Sequence, residues 1–344
     1  MALSTIGTNQ ISNEVFQANR NLIINGAMQV AQRGTSSTGS SYQTVDRFFF
    51  AQSALDNYAL TQTQQTVTDL AGFSNSFRIT TTTAESAIAA DELAYVAQKI
   101  EAQNLQQLAY GTSSAKRVTL SFYVKSSITG TFSTNLYQVD DNRIVNSEYT
   151  ISSANTWERK EITYAADQTG VIDNDSGTGF YVTWNLALGS NYKGNAATAW
   201  EAYNTDNWAG AGTYTDAVIT TVNSTWEITG VQLEVGDTAT PFEHRSFGDE
   251  LTRCQRYFQN NGGTRVIKGG YVASGGNNFY TVKYTTAMRA APTVTYVSVS
   301  GSGFNSADPT TQSIGTESFE AYKAATSTVA SGYFLFTYTV DAEL

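Results

Sequence analysis

Few side chains in this sequence belong to the types that carry out covalent or metal chemistry. His244 is the single histidine and Cys254 the single cysteine among 344 residues, so one chain cannot build a zinc site from such ligands. Nucleophilic catalysis needs a base beside the nucleophile. His244 fits a hydrogen-bonded histidine at a domain junction, and Cys254 fits a buried small side chain. Both fit these structural roles better than catalytic ones. We therefore predict no catalytic residues and no enzymatic activity.

One acidic run has the composition of a cation site. The segment DNDSG at 173–177 begins like a calcium loop of oxygen ligands, but an EF-hand needs a glutamate at its twelfth position, where this sequence has Trp184. A plain turn is the simpler interpretation, and a structural calcium ion is the alternative. The sequence otherwise predicts no metal and no cofactor.

Aromatic residues offer a non-covalent chemistry. The segment 192–214 is long, irregular and rich in aromatic residues among Asn and Asp. Proteins bind sugars by stacking aromatic rings on C–H faces, while nearby amides and carboxylates bond the hydroxyls. The alternative is that these rings cover a sheet edge or pack on a neighbouring subunit. The candidate glycan-binding residues are Tyr192, Trp200, Tyr203, Trp208 and Tyr214.

Glycan cleavage would need two carboxylates on either side of the scissile bond. The chain has 30 acidic residues, so a chance pair somewhere is expected and their number carries no weight. Many polysaccharide-degrading enzymes are long parallel β-helices with repeated rungs, and we find no repeat of fixed period in this sequence. A glycan-active depolymerase, which is an enzyme and not a binding or structural protein, is kept as the alternative function.

The overall charge limits the partners. Charged residues make up 15% of the chain and the formal net charge is −10. A nucleic acid needs lysine and arginine to neutralise its phosphates, and an anionic membrane surface attracts the same residues. No run of 18 apolar residues is present. We expect no nucleic-acid binding and no membrane insertion, while a neutral glycan is compatible with this charge.

The elements that would position these residues are mainly strands. Apolar residues alternate with polar ones along much of 21–242, which is typical of strands with one buried face. One buried face is predicted from Phe180, Val182, Trp184 and Leu186, and another from Phe132 and Leu136. Turn signals between the strands favour antiparallel connections. The predicted fold class is all-β: an antiparallel jelly-roll sandwich, then a short linking helix and a smaller C-terminal β-domain.

The linking helix and the last strand carry apolar residues that could meet another copy of the chain. Ser246 can cap a helix whose third position is Asp249. The strand near the end is apolar on both faces, so its own domain or a second copy must cover it. The candidate oligomer-interface residues are Phe247, Leu251, Phe258, Phe334 and Phe336. The predicted divisions are an attachment arm at 1–20, the jelly roll at 21–243, the linking helix at 244–260 and the C-terminal β-domain at 261–344.

Several long motifs, taken in order, resemble one known module. They are NLIINGAMQVAQRG at 21–34, TVDRF at 44–48, TLSFYVKSS at 119–127, NTWE at 155–158, GVQLEVGDTATPFEHRS at 230–246, MRAAPTV at 288–294 and YTVDAEL at 338–344. This series resembles the carbohydrate-binding-module-like jelly roll, followed by a small β-domain, of bacteriophage tail-fibre and other virion proteins. The family usually has Trp or Tyr after the Asp-Arg pair, and Phe48 stands there instead.

The resemblance implies a structural or host-recognition role on a virion, commonly as a homotrimer. The expected partners are further copies of the chain, other tail or appendage proteins and host-surface polysaccharide. Ile11, Val15 and Phe16 of the arm would attach the chain to the particle. A single cysteine and the lack of a signal peptide fit assembly in the host cytoplasm, with the virion as final location. A purely structural decoration or adaptor protein is the alternative within this class.

Overall fold

The computed structural model describes residues 19–263, 266–304 and 307–344. The predicted attachment residues Ile11, Val15 and Phe16 lie outside the described residues. Across the described ranges, no helix has both the length and the apolar character of a membrane span.

The first domain is a sandwich of two six-stranded sheets, which confirms the predicted fold class. Its strands are β1 Ser36–Ser37, β2 Phe48–Ser53, β3 Ala59–Thr66, β4 Asn75–Thr83, β5 Leu93–Glu101, β6 Val118–Ser126, β7 Gly130–Gln138, β8 Arg143–Ile151, β9 Glu158–Tyr164, β10 Thr178–Leu188, β11 Lys193–Gly194, β12 Glu201–Ala202, β13 Ala209–Gly210 and β14 Thr225–Val235. The first sheet has the order β1-β3-β4-β14-β6-β9, and the second has the order β12-β8-β7-β10-β5-β2. All pairs within these two sheets are antiparallel.

The alternating side chains divide between a core and an outer surface as period two requires. Phe180, Val182, Trp184 and Leu186 of β10 are fully buried between the sheets. The intervening residues of β10 therefore point away from that core, onto the outer face of the second sheet. That face is where polar and aromatic side chains collect.

Helices in the first domain and at the junction are short. They are the 3₁₀ helices Ala102–Leu108, Ser190–Tyr192 and Thr205–Asn207, and the α-helices α1 Ala217–Thr220 and α2 Phe247–Gln255. The Ser246 hydroxyl accepts a bond of 3.2 Å from the Asp249 amide, so the predicted cap is present. The linking helix was predicted over 244–260, whereas α2 ends at Gln255 and Phe258 begins a strand in which it pairs with Asp341.

The smaller C-terminal domain has a core of its own. Its strands are β15 Phe258–Asn260, β16 Val266–Val272, β17 Asn277–Lys283, β18 Thr293–Ser302, β19 Thr310–Gln312, β20 Ser318–Ala324 and β21 Val329–Asp341. β21 pairs with β15, β16 and β18, while β17, β20 and β19 form a second sheet. Phe334 and Phe336 are fully buried in the core between them. Their own domain covers them, so the prediction that they form an oligomer interface is wrong.

Ion pairs join the two domains. The Arg256 guanidinium donates two bonds to the Glu101 carboxylate, at 2.7 and 2.8 Å. Arg33 bonds Asp341 at 3.0 Å, and buried Arg47 pairs with Glu343. Because Glu343 lies beyond the last strand and Arg47 precedes β2, the residues that follow β21 lie against the start of β2, the edge strand of the second sheet.

Candidate functional site

A cleft of about 220 Å³ lies on the outer face of the second sheet. Antiparallel pairing aligns β7, β10 and β5, with Tyr181 opposite Tyr137 on one side and Lys99 on the other. The strands supply the floor and a later loop supplies the rim. The lining residues are Tyr95, Asn135, Tyr137, Ile144, Tyr181, Thr183, Tyr203 and Trp208.

The rim residues come from the loop between β12 and β13. The Tyr203 ring centroid lies 5.1 Å from that of Tyr137, and the Trp208 ring centroid lies 5.3 Å from that of Tyr95. The Trp208 Nε1 donates to the Tyr203 hydroxyl at 3.2 Å. The two rim rings are thus bonded to each other and packed on opposite sides of the cleft.

A short turn fixes the rim. The Asn207 side chain is buried, and its Nδ2 donates to the Ala202 carbonyl at 3.0 Å, while its Oδ1 accepts from the Asn204 amide at 3.1 Å. The Asn146 Nδ2 donates to the Asn207 carbonyl at 2.8 Å and ties the turn to β8. These bonds hold Trp208, the next residue, in place over the sheet.

Polar atoms at and beside the floor lack partners within the described chain. The Asn185 Nδ2 donates to the Ser133 hydroxyl at 2.8 Å and to the Asn135 Oδ1 at 2.9 Å. This leaves the Asn135 Nδ2, the Asn185 Oδ1 and the Thr183 hydroxyl unbonded, although all three residues are at least 97% buried. Of these residues, Asn135 and Thr183 line the cleft. Unpaired buried groups cost free energy.

Three tyrosines of the cleft, Tyr95, Tyr137 and Tyr181, stay protonated at neutral pH. Burial, with smaller contributions from nearby tyrosines, raises the pKa of Tyr95 to about 12. Burial also raises the pKa of Tyr137 and Tyr181 above the usual value. The Tyr137 hydroxyl already donates to the Asn142 Oδ1 at 2.7 Å. None of the eight lining side chains carries a charge.

One cation lies just beyond the cleft. The Lys99 ammonium is 4.7 Å from the centre of the Tyr181 ring. Burial, together with the nearby Arg47 and Arg289, lowers the pKa of Lys99 to about 8. The lysine packs on the ring rather than lining the cavity, so it adds positive potential at one end.

The structure brings three of the five predicted glycan-binding residues together. Tyr203 and Trp208 form the rim, and the Tyr192 ring centroid lies 6.2 Å from that of Trp208. Tyr214 is buried; its hydroxyl donates to Glu148 at 2.6 Å and accepts from the Gly210 amide at 2.9 Å. Tyr214 therefore supports the loop that carries Trp208 and presents no free ring face.

Trp200 lies in the hydrophobic core instead. Its ring stacks on Phe180 at 5.8 Å between centroids, and its Nε1 donates to the Ala165 carbonyl at 2.7 Å. Only 9% of the residue is exposed. The expectation that Trp200 stacks on a ligand is therefore corrected, because protein atoms already cover its ring.

Sequence reasoning missed the residues on the strands. Tyr137, Tyr181 and Thr183 occupy the outward positions of β7 and β10, opposite to the core residues. The same alternation that predicted the core residues also predicts that these residues face outward, on the opposite side of each strand. The loop at 192–208 then covers that outward face, which alternation does not reveal.

The remaining predicted positions have other surroundings. Phe247 is 56% exposed and Leu251 is partly exposed, so both are accessible for a contact between copies. Phe258 is only 6% exposed, and the Arg33 guanidinium lies 3.6 Å from its ring centre. Phe258 is thus covered within its own chain, which corrects its assignment to an oligomer interface.

The residues considered for metal or covalent chemistry serve packing and turns. His244 packs on Phe73 and Phe242, and Cys254 is fully buried, which raises the pKa of its thiol. In the acidic run, the Asp175 carboxylate accepts from the Gly177 amide at 2.7 Å. The described ranges contain no group of three or more His, Cys, Asp or Glu residues arranged to hold a metal ion.

Two wider hollows have charged side chains in their linings. A hollow of about 650 Å³ includes Asp216, whose carboxylate accepts from the Leu188 amide at 3.1 Å. Another of about 610 Å³ includes Glu243 and Arg245, which pair with each other at 3.2 Å. The smaller cleft differs because its lining is mainly aromatic and carries no charge.

Comparison with known proteins gives only distant structural similarities. No family model and no curated protein matches the chain. The enzymatically active domain of bacteriophage CBA120 tailspike protein 4 is similar at 14% identity and a TM-score of 0.33, over 63% of this chain. The match covers only 21% of that tailspike chain.

Two carbohydrate-binding modules are similarly distant. The family 11 module of a Clostridium thermocellum cellulosomal cellulase has 12% identity and a TM-score of 0.29, over 61% of this chain and 98% of that chain. TmCBM61, in complex with β-1,4-galactotriose, has 10% identity and a TM-score of 0.25, over 63% of this chain and 99% of that chain. Similarities this low establish neither a family nor a ligand for the present chain.

Proposed function

We propose that this protein binds a glycan in the aromatic cleft on the outer face of its second sheet. The observation that carries the proposal is an uncharged cavity ringed by four tyrosines and a tryptophan, with unbonded polar atoms at its floor. Sugars present both C–H faces and hydroxyls. The aromatic rings would stack on the former and the floor would bond the latter.

The binding site would act by contact alone, without chemistry on the sugar. The cleft lining contains no carboxylate, and hydrolysis of a glycosidic bond normally requires a pair of them. We propose accordingly that the protein is not an enzyme. Release of oligosaccharide from a host polysaccharide by the purified protein would contradict this.

The biological setting that we propose is a bacteriophage virion appendage, a tail fibre or a similar fibre. Its support is the ordered series of sequence motifs that resembles virion proteins of this kind. The chain would be made in the host cytoplasm and assembled with other tail proteins. It would then contribute to attachment by weak sugar contacts multiplied over several copies.

The cleft assignment is tested by comparing two tryptophan variants. Trp208→Ala removes a rim ring and should weaken glycan binding about tenfold, which corresponds to about 1.4 kcal/mol. The matched control is Trp157→Ala, because Trp157 is also partly buried but precedes β9 in the opposite sheet. A glycan array followed by calorimetry on the best ligand gives the affinities. Equal loss in both variants, or none in Trp208→Ala, would overturn the assignment.

The proposed appendage would be a homotrimer, which light scattering tests directly. We expect a mass near three times 37.2 kDa for the purified chain. Phe247 is the most exposed of the five predicted interface residues that the structure describes. Phe247→Asp should lower the mass if this ring lies between copies, whereas a monomeric wild-type chain would contradict trimer formation in solution.

A further inference from the structure

We infer that the cleft accepts a single uncharged sugar ring, at the end or on a side branch of a glycan, rather than a run of sugars within a chain. The inference rests on the proposed glycan-binding function and specifies its ligand. Its three supports are the volume of the cavity, the absence of charge in its lining and the unbonded polar groups of its floor.

The volume suits one ring. An engineered cavity of roughly 150 Å³ accepts benzene, whereas pockets for larger ligands span roughly 300–1,000 Å³. At about 220 Å³, this cleft has room for one six-membered ring with its hydroxyls. Tyr203 and Trp208, bonded to each other at the rim, limit the space for further sugars beside it. A chain end or a branch can enter such a site without requiring space for neighbours on both sides.

The lining favours a neutral ring over a charged one. A charged ring entering the cleft would lose its hydration to a lining that contains no charged side chain to pair with it. Uronic acids and protonated amino sugars are therefore both disfavoured.

The floor offers hydrogen-bonding groups that have no partner in the described chain. Asn135 and Thr183 line the cleft, and the Asn135 Nδ2 and the Thr183 hydroxyl are unbonded. A sugar hydroxyl can both donate and accept. A hydroxyl that reaches these groups would satisfy atoms that are otherwise buried without partners.

A ligand panel tests the size and charge of the ligand. Neutral methyl pyranosides, linear oligosaccharides of the sugar that binds, the cyclic oligosaccharide of that sugar and its uronate and amine counterparts are titrated into the full chain. We expect the methyl glycoside and the linear oligosaccharides to bind within about threefold of each other. The cyclic form, which has no chain end, and the charged forms should bind at least tenfold more weakly.

The outcomes separate the two proposals. Affinity that rises more than tenfold with chain length, or strong binding of the cyclic or charged forms, would overturn the single-ring inference and leave glycan binding in place. No binding of any glycan in the panel or on an array would overturn the proposed function and the inference together.

A pair of isosteric variants tests the floor. Thr183→Val removes a hydroxyl that has no partner, so we expect binding to weaken about tenfold with no fall in melting temperature. Thr134→Val is the control, because that hydroxyl points into the core and donates to the Thr183 carbonyl at 2.6 Å. It should lower the melting temperature and leave affinity unchanged. Unchanged affinity in Thr183→Val would overturn the role of the floor.

Discussion

Trp200 and Trp208 lie in the same irregular stretch of sequence but occupy different environments. Trp200 is packed between Phe180 and Tyr110, both in the first core. Trp208 contacts the outward-facing Tyr95 and keeps part of its surface accessible. The sequence around the two tryptophans is similar, so it does not show which of them is buried. Only the path of the loop across the sheet places Trp200 in the core and Trp208 at the cleft.

Truncation of the two rings should therefore destabilise the protein to different extents. Trp200→Ala should lower the free energy of unfolding by about 3–5 kcal/mol, because it leaves a cavity in the core. Trp208→Ala should lower it by roughly 1–2 kcal/mol, because its ring is only partly buried. Urea unfolding measures both. If Trp208→Ala were as destabilising as Trp200→Ala, the rim ring would have to be counted as part of the core.

At the scale of elements, the turn Thr205–Asn207 controls the cleft without lining it. Asn207 joins the turn to β12, and its carbonyl joins it to β8. Trp208 follows this turn directly. The fraction of molecules in which the turn is ordered therefore sets the fraction in which the Trp208 ring lies over the cleft.

Asn207→Ala should weaken glycan binding even though Asn207 does not line the cleft. If loss of its bonds leaves the rim ordered in about a tenth of the molecules, the apparent affinity falls about tenfold. Thr205→Ala is the control, since Thr205 is exposed in the same turn. Calorimetric titration at a temperature where both variants are folded compares them. Equal affinities would show that the rim holds its position without Asn207.

The strands could be predicted from sequence because burial imposes a period of two, as for Phe132 and Leu136, both buried. The cleft could be predicted only in part. Tyr203 and Trp208 were found by composition, whereas Tyr137 and Tyr181 become neighbours only through the pairing of β7 with β10. Pairing between strands distant in sequence depends on the whole fold, so local patterns do not specify it.

At the scale of the whole molecule, the junction depends on ionised carboxylates. Burial alone would raise the pKa of Glu101, but hydrogen bonds from Arg256 and Tyr257 hold it below its usual 4.5. A carboxyl whose folded pKa is lowered contributes stability that is complete above its unfolded pKa. That contribution is lost as the pH falls through the folded pKa.

We therefore expect the melting temperature of the wild type to exceed that of Glu101→Gln at pH 7, with a difference that shrinks as the pH falls from about 5 to 3. Scanning fluorimetry across this range measures both proteins. Other acidic residues titrate in both, so the difference isolates the Glu101 contribution. A difference that stays constant with pH would show that the Glu101–Arg256 ion pair makes no pH-dependent contribution to stability.

The position of Arg47 has a consequence for how the molecule melts. Its side chain is buried where the two domains meet: the guanidinium lies 3.4 Å from the Tyr257 ring centre, and its counter-charge, Glu343, follows the last strand of the second domain. Loss of one member of a buried ion pair costs about 3–5 kcal/mol. When the C-terminal domain unfolds, the jelly roll loses both the counter-charge and the ring that covers this cation. Two hydrophobic cores therefore behave as one cooperative unit, and calorimetry should record a single transition where the architecture alone would suggest two.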